Sequence, residues 1–139
     1  MLQQIFWGIV SAIPVMIIVP LMRKYFSAKL IGATCLITMS FIYVGFALKE
    51  NETADIILEI VVALLFYFIA LYGFVKERRL IALGILLHGL WDSVHHFTTA
   101  ATDAPYFWPV YCLTIDLIWS VYFYIVFRKQ LSKLNSQGD

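Results

Sequence analysis

Five apolar runs of about 18–22 residues occupy most of the chain, with short polar segments between them. No other feature limits the fold as much. A helix rises about 1.5 Å per residue, so each run can cross the roughly 30 Å hydrocarbon core of a bilayer. In lipid every backbone N–H and C=O must be satisfied internally, which leaves helices or closed barrels. These runs are continuous rather than alternating, so the reading is all-α: a polytopic membrane helical bundle of five transmembrane helices. The expected spans are 2–22, 30–48, 56–75, 80–97 and 106–127, forming one domain over 1–139. Pro14 and Pro20 interrupt the first run. If that run re-enters or lies at the interface, four spans remain. Composition agrees, because 62% of residues are hydrophobic, against about 45–50% in a soluble domain. The first run has no basic n-region or clean small-residue cleavage site, so it is expected to be retained.

Charge placement gives an orientation. Arg23, Lys24 and Lys29 lie after the first run, Lys76, Arg78 and Arg79 after the third, and Arg128, Lys129 and Lys133 in the tail. The second and fourth loops, which include Asn51 and Asp103, carry only Lys49. The positive-inside rule then places the N-terminus outside and the C-terminus in the cytoplasm of an inner (cytoplasmic) membrane. Trp7, Tyr106, Trp108 and Tyr111 fall near the outer ends, as an interfacial aromatic belt would. A net charge of +1 and the absence of a basic stripe speak against nucleic acid as a partner. Cys35 and Cys112 lack CxxC spacing, which argues against a disulfide framework or a zinc ribbon.

The expected fourth span holds all three histidines of the chain. On a helix, His88, Asp92, His95 and His96 fall within an arc of roughly 100°. Ionisable groups inside a membrane are expensive and usually face the bundle interior, so they mark a functional site by default. Relative depths suggest two tiers. His88 and Asp92 share the middle level with Asp116 of the fifth span, and Glu59 of the third span joins His95 and His96 at the outer mouth of the pocket.

Four readings of these groups remain open. His88, Asp92, His95, His96 and Asp116 can ligate a divalent metal ion of the Zn, Fe or Mn class. His88, Asp92 and Asp116 can instead run metal-free acid–base chemistry on a lipophilic small molecule, in a membrane enzyme. Chains of Asp, Glu and His also line proton or cation pathways, which in so short a chain calls for a homodimer. The fourth reading is a buried polar network that pins helix packing. Haem ligation is disfavoured because all imidazoles sit on one helix. A retinal Schiff base is disfavoured because no span holds a lysine, and a nucleotide because no Gly-rich phosphate loop occurs.

Trp91-Asp92-x-x-His95-His96, followed by Pro105, Trp108-Pro109, Cys112 and Asp116, resembles the pattern of a family of small bacterial integral-membrane proteins classed as a domain of unknown function. The resemblance covers the fourth and fifth spans. It implies that Asp92, His95, His96, Cys112 and Asp116 act as a unit and that the membrane is bacterial; it supplies no activity. His88-x-x-x-Asp92 is also similar to the membrane histidine and acid of sterol-isomerase-type helical bundles, which face a lipid-like ligand.

Overall fold

A computed structural model describes residues 1–50, 52–97 and 104–135. Every regular element among these is a helix: α1 (Leu2–Met22), α2 (Ala28–Ser40), α3 (Ile42–Glu50), α4 (Thr53–Val75), α5 (Arg79–Phe97) and α6 (Trp108–Asn135). Asn51 and Asp103 lie outside the described residues. α2 and α3 form one rod, Ala28–Glu50, bent at Phe41. Beside the bend, the Ser40 hydroxyl donates to the Leu36 carbonyl at 2.6 Å. This back-bonding competes with the helical ladder and bends helices.

Among the described residues, four rods are long and apolar enough to cross a membrane: Leu2–Met22, Ala28–Glu50, Thr53–Val75 and Trp108–Gln130. By length and composition alone this is one rod fewer than the five expected spans. The rod that falls short is α5, the expected span 80–97. His88, Asp92, His95 and His96 lower its hydropathy, while shielding by its neighbours removes the need for an apolar surface all round. α1, the run left open as re-entrant or interfacial, is among the four.

α5 is the central rod. It packs most extensively on α6 and also on α4 and α2, and α1 covers another face of α6. The half of the bundle near the start of α5 is a tight apolar core. There Ile81 and Ile85 of α5 are fully buried with Leu36, Phe123 and Phe127, and Phe66 is 5% exposed. The outer faces carry exposed Ile13, Ile17, Leu64, Leu65 and Phe68. That apolar exterior is the inverse of a soluble protein's and suits contact with lipid.

Polar side chains tie the helices where packing alone would leave backbone groups unmet. Pro20 has no N–H, so the Met16 carbonyl loses its helical partner. The Tyr122 hydroxyl of α6 donates to that carbonyl at 3.1 Å. This is how a membrane helix tolerates an internal proline. Trp119 Nε1 likewise donates to the Ala12 carbonyl at 3.0 Å, and Ser120 Oγ to the Ala82 carbonyl at 2.9 Å.

Candidate metal centre

α5 and α6 meet closely at Gly89. A Cβ built there would lie 2.9 Å from the Asp116 Cβ and 3.2 Å from Leu113 Cδ1. Only a bare Cα lets α6 come near enough for Asp116 to reach the neighbouring histidine. His88 Nδ1 lies 2.8 Å from Asp116 Oδ2 and 3.5 Å from Asp92 Oδ2. One donor atom from each of His88, Asp92 and Asp116 falls within 4.8 Å of the others. All three residues are buried, at 3%, 0% and 2% exposure. Phe66 of α4 meets the imidazole edge-on, at 5.3 Å between ring centroids. The result is a buried His/Asp group that could hold a metal ion.

The spacing of these atoms can be set against coordination geometry. Tetrahedral bonds of about 2.0–2.2 Å put donor atoms roughly 3.3–3.6 Å apart. The 3.5 Å His88–Asp92 separation already fits. The 2.8 Å His88–Asp116 contact is a hydrogen bond, so an entering ion would part these two atoms by about half an ångström.

The other sequence candidates go elsewhere. His95 does not join the group. Its Nε2 lies 2.8 Å from Glu59 Oε1, and its Nδ1 lies 3.1 Å from the Trp91 carbonyl. A carbonyl only accepts, so Nδ1 carries a hydrogen. The pair then shares one further proton between Nε2 and the Glu59 carboxyl. Trp91 Nε1 donates to Glu59 Oε2 at 3.4 Å. Glu59, expected at a pocket mouth, is 1% exposed and is not among the residues lining the cavity beside the triad. The helical arc put His88 and His95 on one face, but their side chains find acids on different neighbours, α6 and α4. The His96 side chain lies outside the described residues.

Cys112 lines the cavity rather than joining the donor group. Trp108 and Tyr111, expected in an interfacial belt, are half-buried in the cavity wall. Two residues carry no sequence signal of their role. Tyr43 is 1% exposed. Its ring stacks on His95 with centroids 3.9 Å apart, and its phenol adjoins Asp92. It therefore bridges the two polar groups. Gly89 sets the helix spacing, and only its position beside His88 hinted at that.

No curated protein and no solved structure matches the chain. Residues 2–129 match a family described as a family of unknown function, DUF6010. That match spans far more than half of the sequence, so the chain belongs to the DUF6010 family.

Proposed function

We propose that His88, Asp92 and Asp116 bind one divalent metal ion of the Zn, Fe or Mn class inside the bilayer. The observation that carries this is two buried carboxyls and one imidazole held with donor atoms within 4.8 Å. One nitrogen and two hard oxygens suit these ions better than soft thiolate-seeking ones. In this reading α5 crosses the membrane with the four apolar rods, which gives five crossings. The basic segments then face the cytoplasm, with the N-terminus outside.

Charge balance supplies the test. With the imidazole neutral and both carboxyls ionised, the group carries −2, which is costly in a low-dielectric interior. One divalent cation neutralises it, and so do two protons. Metal entry therefore exchanges one ion for about two protons, whichever atoms held them. Calorimetric titration with Zn2+ or Mn2+, in buffers of different ionisation enthalpy, is expected to show one site and about two protons released. A bound ion without proton release, or no binding at all, would remove the reading.

A second reading is favoured by the 2.8 Å His88–Asp116 hydrogen bond, which already pairs base with acid without an ion. There the triad performs acid–base chemistry on a lipophilic molecule, and the same titration would show no stoichiometric metal.

Gly89→Ala offers a structural check. The new Cβ would crowd Asp116 Cβ at 2.9 Å and stand 3.5 Å from its Oδ2. Displacing this ligand is expected to weaken metal binding by about tenfold or more, the scale seen when support around a ligand is lost. Unchanged affinity would mean that α6 does not supply a ligand.

A further inference from the structure

Beside the triad lies a cavity of about 330 Å3 that the metal reading leaves without an occupant. α2 and α3 form one wall and α6 the other, and His88 and Asp92 of α5 close the back. Thr34 and Thr38 stand on its rim and are exposed at the molecular surface. Both rim helices belong to rods apolar enough to cross a membrane, so the opening faces sideways into hydrocarbon.

We propose that this cavity takes a single-chain alkyl amphiphile with a neutral hydroxyl head, entering between α2 and α6. The head rests among Tyr43, Asp92 and Trp108, and the chain lies along Met39, Ile42, Ile115 and Trp119. The proposal goes beyond the metal reading and does not require it.

The unmet polar atoms decide the head group. Among the described residues, the Tyr43 hydroxyl, Trp108 Nε1, His88 Nε2 and both Asp92 carboxyl oxygens are buried without a well-formed hydrogen bond, although the phenol adjoins Asp92. All four residues line the cavity. Burying such groups unpaired is costly, so they call for a partner. An indole N–H only donates and a carboxylate only accepts. A hydroxyl both accepts and donates, so one oxygen answers both kinds of group. A fatty carboxylate only accepts and would leave the Asp92 oxygens unmet. An ammonium head only donates and would leave Trp108 Nε1 unmet.

The cavity also limits the length. At about 30 Å3 for each water-sized group, the volume holds roughly eleven such groups. That is a hydroxyl and about ten carbons, so a dodecyl chain fills the cavity with its last carbons at the open rim. A ligand of this kind needs no aqueous route, because its chain is already dissolved in the bilayer.

The test uses the full chain reconstituted in lipid nanodiscs and a dodecanol bearing a diazirine near its tail. After irradiation, labelled residues are mapped by mass spectrometry. Labelling is expected to concentrate in residues 34–43 and 108–119. Tenfold excess dodecanol should reduce it at least fivefold, and the same excess of dodecanoate should not. Thr38→Trp, at the exposed rim, should cut labelling at least fivefold, with helical content and metal stoichiometry as in the parent. Equal labelling of the outer faces of α1 and α4, with no competition, would mean that the cavity holds only water and would overturn the proposal. Equal competition by dodecanoate would overturn the neutral head. Labelling as expected in a protein that binds no Zn2+ or Mn2+ would retire the metal reading and leave this one standing.

Discussion

Asp116→Asn is expected to weaken Zn2+ or Mn2+ binding by at least about a hundredfold, or about 2.7 kcal/mol, while the helical fold survives. The amide has the size of the carboxyl, and its oxygen can still accept from His88 Nδ1 at the present 2.8 Å. Packing at Gly89 is therefore kept. What changes is charge. With one carboxylate left, a divalent ion would leave the buried group at +1, and the neutral amide oxygen is a poorer ligand. Glu52→Gln is the control: Glu52 is exposed before α4, and its side chain makes no capping hydrogen bond. Metal titration beside circular dichroism separates the outcomes. Loss of metal with helicity intact is expected. Equal affinity in both variants would show that Asp116 is not a ligand.

The second large effect concerns Glu59 and His95, whose side chains are 1% and 0% exposed and 2.8 Å apart. Removing either partner strands a buried ionisable group. Glu59→Ala or His95→Ala is expected to lower stability by about 3–5 kcal/mol, measured by SDS-induced unfolding in mixed micelles. Replacing both residues with methionine should recover most of that loss, because an apolar pair of similar volume needs no partner. Metal stoichiometry should remain at one throughout. If His95→Ala lost the metal without losing stability, the imidazole would belong to the ion and not to Glu59.

How much of this was legible in the chain depends on the kind of signal. Apolar run length marks helices reliably, because lipid-facing surfaces must be apolar along their whole length. α1 and α4 are accordingly readable from the letters alone. The bend at Phe41 is not, since it accompanies one serine bonding back to Leu36. α5 shows the limit of hydropathy: its exposed face is apolar at Leu83, Leu87, Leu90 and Val94, but its buried face is free to be polar, so mean composition no longer reports whether it crosses. Helical spacing placed His88 and Asp92 together, and depth arguments brought Asp116 to their level. Spacing could not tell which neighbour each imidazole meets. His88 and His95 share a face in projection, yet one finds Asp116 and the other Glu59. Tyr43 was invisible because its role arises from a contact between helices remote in sequence. The cavity, too, arises between residues of α2, α3, α5 and α6 that are remote in sequence and not from any motif.

The central claim is that a single imidazole and two carboxyls hold one metal ion. X-ray absorption at the zinc edge, on protein loaded with one equivalent of Zn2+, reads that donor set directly. The account predicts one imidazole nitrogen with carboxylate oxygens at about 2.0–2.2 Å and no sulfur. Two or more imidazoles, or a sulfur at about 2.3 Å, would contradict it by bringing His95, His96 or Cys112 into the shell.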